Sequence, residues 1–121
     1  MRAALKGLHS PDIEDLEKYC PESPKKFCFL LQAMVGPASQ EGAESFDIVV
    51  CTPQWLAEHC KHDEVLVGRH HLIVMEYNYG RIAHVLQSLV EQCIGATWEE
   101  VGQKVSRIGK WEFEDYVPYA P

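Results

Sequence analysis

One stretch of this chain, Lys26 to Val35, reads KFCFLLQAMV and is apolar at nearly every position. Such continuous apolar character is typical of a central strand that is covered on both faces. Gly36 and Pro37 then end the strand. After a polar connection, Glu44 to Cys51 (ESFDIVVC) alternates, so that one face carries Phe46, Ile48 and Val50. The two stretches predict an antiparallel hairpin with a flexible loop.

Shorter patterns on both sides of this hairpin predict three more strands. Met1 to His9 alternates between apolar and basic residues, as a half-buried strand does. The segment from Val65 to Tyr77 predicts a second strand, because it contains the β-branched and aliphatic run LIVM, Leu72 to Met75. Trp111 to Tyr116 alternates and predicts the last, after a left-handed helix cap at Gly109. The polar connection before the hairpin has room for one helical turn, from Asp12 to Tyr19.

Three helices are predicted. Thr52 and Pro53 form a start signal, followed by a buried side made of Trp55, Leu56 and Cys60. The longest helix runs from Tyr79 to Cys93, where apolar residues recur at steps of three and four: Ile82, Val85, Leu86, Leu89, Val90 and Cys93. Thr97 to Glu100 is a capping box, and the helix after it would bury Trp98, Val101, Val105 and Ile108.

The order of these elements predicts an α+β fold. We expect a mainly antiparallel sheet of about five strands with about three helices on one face. A length of 121 residues fits one domain, residues 1–121, with one core.

Composition argues against several classes of protein. The net charge of −7 disfavours a nucleic-acid binder, because phosphate contacts require clustered Lys and Arg. The apolar runs are far shorter than the roughly 20 residues that span a bilayer, so no membrane partner is expected. The N-terminus lacks the apolar core of a secretory signal, which predicts a cytoplasmic protein. An acidic surface instead favours capture of a basic partner.

The cysteines and histidines do not form a recognisable metal or redox motif. The five cysteines include no C-x-x-C pair. Five side chains that could bind a metal lie close together in the sequence: His59, Cys60, His62, His70 and His71. Their spacing matches no zinc-binding pattern. We therefore expect reduced, structural thiols and neither a metal nor another cofactor.

Two sets of residues leave enzymatic alternatives open. Any cysteine could pair with a histidine as a nucleophile, although such a thiolate needs an electropositive setting. Glu112 and Glu114 alternate onto one strand face, which suits general acid and base chemistry and equally suits a solvated face.

A further group surrounds the junction between the LIVM strand and the longest helix. Tyr79 and Arg81 are residue types that often anchor interfaces. The same group could instead be internal, with Asn78 as helix cap and with Arg69 or Arg81 paired to Glu76 or Asp47.

Four ordered segments resemble the immunity protein 8 family of bacterial polymorphic toxin systems. They are Leu8 to Asp12 (LHSPD), Glu44 to Leu56 (ESFDIVVCTPQWL), Gly68 to Asn78 (GRHHLIVMEYN) and Trp111 to Tyr116 (WEFEDY). The resemblance implies a cytoplasmic antidote that binds a cognate toxin domain, encoded by the adjacent gene, and that carries no catalytic residues.

From that partner and from residue chemistry, we expect acidic and aromatic side chains to contact the toxin. The candidates are Trp111, Glu112, Glu114, Asp115, Tyr116, Tyr79 and Arg81. Two alternatives remain at this point. One is a small hydrolase with a Cys/His or carboxylate pair, and the other is a homodimeric ligand-binding or structural domain; the expected antidote itself is either a monomer or a homodimer.

Overall fold

The computed structural model describes residues 1–114. Its elements are β1 (Ala3–His9), β2 (Cys28–Pro37), β3 (Glu44–Cys51), α1 (Pro53–His59), β4 (His71–Ile73), α2 (Tyr79–Glu91), α3 (Trp98–Val105) and β5 (Lys110–Trp111). The sheet order is β1-β2-β3-β4, and β5 also pairs with β3. Only the β3–β4 pair is parallel, so the predicted α+β class with a mainly antiparallel sheet is confirmed.

The predicted hairpin forms the centre of the sheet. β2 and β3 pair antiparallel from Cys28 opposite Cys51 to Val35 opposite Glu44. One face of β2 is fully buried, and it carries Phe29, Leu31, Ala33 and Val35. The other face is only half-buried, contrary to the expectation of cover on both sides. Its cover is partial because α1 lies beside only one end of it, at Cys28.

β1 completes this side of the sheet through a bulge. The pairing with β2 shifts between Leu5 and Gly7, which leaves Lys6 without an opposite residue. The extra residue resets the alternation, so that both Leu5 and Leu8 pack against the core. The half-buried strand predicted for Met1 to His9 is therefore confirmed.

The segment between β1 and β2 contains turns and bends without the helical turn expected from Asp12 to Tyr19. It is fixed by specific contacts: Asp12 Oδ2 accepts the Leu30 N–H at 2.9 Å, and the Tyr77 hydroxyl donates to the Leu16 carbonyl at 2.5 Å. The buried side chains of Ile13 and Leu16 tie the segment to the core. The hydrogen bond from Tyr77 satisfies the Leu16 carbonyl, a main-chain group that a helical turn would otherwise satisfy.

α1 connects the two parallel strands β3 and β4. Thr52 is fully buried, and its Oγ1 accepts the N–H groups of Phe27 (3.3 Å) and Trp55 (3.2 Å), so the predicted cap also fastens the helix to β2. Trp55 and Leu56 are half-buried beside Cys28 and Val49, which face away from the main core. α1 thus lies with the second face of the sheet.

α2 and α3 cover the core face. Their buried residues are Ile82, Leu86 and Val90 on α2 and Val101 and Val105 on α3. The predicted caps are present, since Asn78 Oδ1 accepts the Arg81 N–H and Thr97 Oγ1 accepts the Glu100 N–H. Val85 and Leu89, expected in the buried stripe, are 39% and 38% exposed. None of the helices within residues 1–114 is long and apolar enough to cross a membrane.

Gly109 does not adopt the left-handed conformation expected of it; the positive-φ residues of the described chain are Gly42 and His70. Its role is close packing. A Cβ atom at Gly109 would lie 2.9 Å from Ile48 Cγ1 and 3.0 Å from Phe46 Cβ. The chain leaving α3 therefore runs directly against β3, where β5 pairs with it.

We predict that Gly109→Ala lowers the free energy of unfolding by about 1–3 kcal/mol, because the added methyl group overpacks against β3. Gly68→Ala is the matched control: a Cβ there meets nothing within 4 Å, so we expect a neutral effect or a gain of up to about 1 kcal/mol. Urea denaturation of both variants measures the difference. Equal stabilities would show that the close approach to β3 is not constraining.

Candidate functional site

A groove lies between β4 and the first turns of α2. We call it the β4–α2 groove; it has a volume of about 470 Å³ and is lined by Leu72, Ile73, Val74, Met75, Glu76, Asn78, Arg81, Ile82 and Val85. Exposed apolar side chains belong to it: Met75 is 70% exposed and Val85 39%. It is an apolar surface with charged residues at its rim.

The groove exists because β4 is short. The strand predicted from Val65 to Tyr77 is wrong at both ends: only His71–Ile73 pair with β3, and residues 61–69 are exposed. His70 has a positive φ of 64°, which turns the chain abruptly into β4. Past Ile73 the chain leaves the sheet to reach the Asn78 cap, so β4 does not extend along α2. Val85 is left uncovered as a result.

The structure separates the predicted contact residues into two groups. Tyr79 and Arg81 lie at the start of α2, with Tyr79 beside Leu8 and Ile13 and Arg81 in the β4–α2 groove. This is the end of the sheet where β1 and β3 finish. Trp111 and Glu112 lie at the other end, beside the first residues of β3. Asp115 and Tyr116 lie outside the described residues.

Trp111 is part of a tryptophan and carboxylate cluster inside the protein. Its ring stacks on Phe46, and its indole N–H donates to Glu44 Oε2 at 2.6 Å. The Trp98 indole N–H donates to the second oxygen, Oε1, of the same carboxylate at 2.9 Å. One glutamate therefore joins β3, α3 and β5. Gly102 makes room for the cluster, because a Cβ there would lie 2.6 Å from Trp111 Cη2.

We predict that Glu44→Gln lowers the free energy of unfolding by about 1–3 kcal/mol, because an amide has only one acceptor oxygen and leaves one indole N–H without a partner. Glu41→Gln, at an exposed position of the preceding loop, should stay within about 0.5 kcal/mol of the parent. Tryptophan fluorescence during urea denaturation reports on the cluster directly. An unchanged midpoint for Glu44→Gln would contradict its bridging role.

Glu112 and Glu114 were expected on one face of a strand, but β5 ends at Trp111 and residues 112–114 form a turn. Glu112 Oε1 accepts the Ser45 N–H at 2.8 Å. Glu114 Oε1 accepts from Arg69 Nη2 at 2.6 Å and lies 3.7 Å from His70 Nε2. Both carboxylates thus fasten the end of the described chain. Arg69 pairs with Glu114 and with neither Glu76 nor Asp47.

Three histidine side chains lie within hydrogen-bond distance of main-chain carbonyl oxygens. His59 stacks on Trp55 with ring centroids 4.3 Å apart, and its Nδ1 lies 3.0 Å from the Trp55 carbonyl oxygen. His70 Nε2 lies 2.7 Å from the Ser106 carbonyl oxygen, and His71 Nδ1 2.9 Å from that of Arg69. Within residues 1–114, no three His, Cys, Asp or Glu side chains converge as metal ligands.

Three cysteines gather beside α1, which their positions in the sequence did not indicate. Cys28, Cys51 and Cys60 line a cavity of about 180 Å³ together with His59 and His71. Burial raises the pKa of the Cys28 thiol to about 11, and the neighbouring Cys51 and Asp12 add to the increase. Burial likewise raises the pKa of Cys51. A nucleophilic thiol requires the opposite shift.

We expect this burial to be measurable as slow alkylation. At pH 8 iodoacetamide should modify the exposed Cys20 first and Cys28 far more slowly, because a pKa of about 11 leaves about a hundredfold less thiolate than the ordinary value of 9.0. Peptide mapping by mass spectrometry follows each site, with urea-unfolded protein and Cys20→Ala as controls. Rapid modification of Cys28 in the folded protein would support the hydrolase alternative.

The fold and these contacts define a small α+β protein in which Glu44, Glu112 and Glu114 are hydrogen-bonded within the described residues and part of the exposed apolar surface lines one groove. A family model described as Immunity protein 8 matches residues 3–116. The chain therefore belongs to the immunity protein 8 family. No curated protein and no solved structure gives a significant match.

Proposed function

We propose that this chain is an antidote of a bacterial polymorphic toxin system: it binds a cognate toxin domain in the cytoplasm and blocks it by protein–protein contact, without catalysis. The observation that carries the proposal is the family match over residues 3–116. A surface that covers the toxin's active site is sufficient for neutralisation, since steric exclusion of substrate needs no chemistry in the antidote.

Charge supports this assignment. The net charge of −7 is spread over a small molecule and would attract a basic toxin, speeding encounter through electrostatic steering. The side chains considered as catalytic candidates are poorly suited to catalysis. Glu112 and Glu114 are hydrogen-bonded within the chain, and burial raises the pKa of Cys28 and Cys51. Both observations favour binding over turnover.

The contact residues belong to the same proposal. Arg81 is exposed in the β4–α2 groove and makes no ion pair with the described residues, so it is available to a partner. Tyr79 lies nearby on the other side of the α2 start. Trp111, Glu112 and Glu114 form a second candidate group, although Trp111 is half-buried. Asp115 and Tyr116 lie outside the described residues and are proposed as contacts from the sequence alone. We favour the first group because it adjoins exposed apolar area.

Co-expression tests the function. Cells that express the toxin domain encoded by the adjacent gene should survive only when they also express this chain, and the two proteins should co-purify. The association rate should fall as ionic strength rises from about 0.05 to 0.5 M, because salt screens the steering. An unrelated acidic protein of similar size is the control. Lack of complex formation with that toxin domain at micromolar concentration would contradict the proposal.

A further inference from the structure

β4 has one edge that pairs with no strand of the described chain, because the sheet order ends there. The orientation of its main chain follows from two hydrogen bonds: Val49 N–H donates to the His70 carbonyl, and Val74 N–H donates to the Cys51 carbonyl, both at 2.9 Å. Main-chain groups of successive strand residues point to opposite sides. Residues 70, 72 and 74 therefore face β3, while His71 and Ile73 face outward.

Three outward main-chain groups of β4 make no hydrogen bond with the described residues. The His71 N–H is already used, since it donates to the Gly68 carbonyl at 3.2 Å. The His71 carbonyl, the Ile73 N–H and the Ile73 carbonyl remain along the free edge. Unpaired donors and acceptors at strand spacing match the main chain of an extended segment.

The opposite edge of the sheet differs from β4. The start of β1 is covered by the connection between α2 and α3, where Ala3 N–H donates to the Cys93 carbonyl and Gly95 N–H donates to the Met1 carbonyl. Lys6 bulges from the same strand. Edge strands are usually protected by shortness, charged residues, bulges or cover; β4 is short, but His71-Leu72-Ile73 carries no Lys, proline or bulge.

The β4–α2 groove lies where the side chains of an added strand would fall. Such a strand sits about 4.8 Å from β4, with alternate side chains on the two sides of the sheet. One set would enter the groove beside Val85 and Arg81, and the other would lie beside Ile73, which is 50% exposed. The groove volume of about 470 Å³ accommodates several apolar side chains.

Charge decides between a second copy of this chain and a different protein. Each copy carries a net charge of −7, so two β4 edges approach against long-range repulsion, whereas a basic partner is attracted. A partner that pairs with β4 and also fills the groove gains binding free energy both from main-chain hydrogen bonds and from apolar contacts.

We propose that the cognate toxin domain docks by adding one of its strands to the free edge of β4, with apolar side chains of that strand in the β4–α2 groove. This inference rests on the proposed function and adds to it the mode of binding. The main chain of β4 supplies affinity, and the groove supplies selection of the toxin side chains.

Two substitutions at one position separate main-chain from side-chain binding. Ile73→Pro removes the outward N–H and leaves the bonds of Leu72 and Val74 to β3 in place, as proline at an edge allows. We expect its Kd for the toxin domain to rise about tenfold to a hundredfold, because one strand hydrogen bond is lost and its partner is left unpaired. Ile73→Ala keeps the N–H and loses only side-chain contact with the added strand, so its Kd should rise by a clearly smaller factor than that of Ile73→Pro. Calorimetric titration measures Kd, and thermal unfolding checks the fold.

The outcomes distinguish this mode of binding from the function itself. Wild-type chain that fails to bind the toxin contradicts the proposed function. Tight binding by a folded Ile73→Pro variant overturns strand addition and leaves the function standing. Equal losses for Ile73→Pro and Ile73→Ala would show that the side chain alone is recognised, which also overturns it.

Hydrogen exchange on the wild-type protein gives a second readout that does not depend on the folding of any variant. In the free chain the Ile73 amide should exchange faster than those of Leu72 and Val74, which face β3. In the complex the Ile73 amide should become protected. Unchanged exchange on toxin binding would refute the proposal, as would protection already present in the free protein together with a dimeric mass.

Discussion

The hydrogen bonds on the two sides of β3 hold this molecule together. On one side β3 pairs along its whole length with β2. On the other side the pairing is divided: Phe46 and Asp47 pair with β5, and Val49 to Cys51 pair with β4. Two short strands from distant parts of the chain therefore share one edge. The two strands meet at Ile48, so neither β4 nor β5 can start earlier without displacing the other.

The surface features follow from that division. The short β5 brings Trp111 to Glu44 and lets the turn after it fasten through Glu112 and Glu114. The short β4 leaves part of α2 uncovered and a row of main-chain groups exposed. The sheet therefore has a closed, hydrogen-bonded end at β5 and an open, apolar end at β4.

Some of the candidate site could be predicted from the sequence, but its arrangement could not. Asn78 as helix cap follows from local chemistry and is confirmed, and Arg81, predicted as a contact residue, lies exposed in the β4–α2 groove. The groove itself was missed, although the four apolar residues Leu72 to Met75 gave a signal: a strand covered on one face leaves half of them exposed. Trp111 and Glu114 looked like surface residues because their partners, Glu44 and Arg69, are far away in sequence.

The sequence by itself determined the elements whose cause is local. Alternation along β3, the threonine and asparagine caps and the apolar repeat of α2 specify strands and helices through the backbone and its nearest neighbours. Only the tertiary structure decided where β4 and β5 end, how Gly109 is used and which polar groups meet. These depend on competition for one strand edge and on packing distances between residues up to 67 positions apart, which no local pattern encodes.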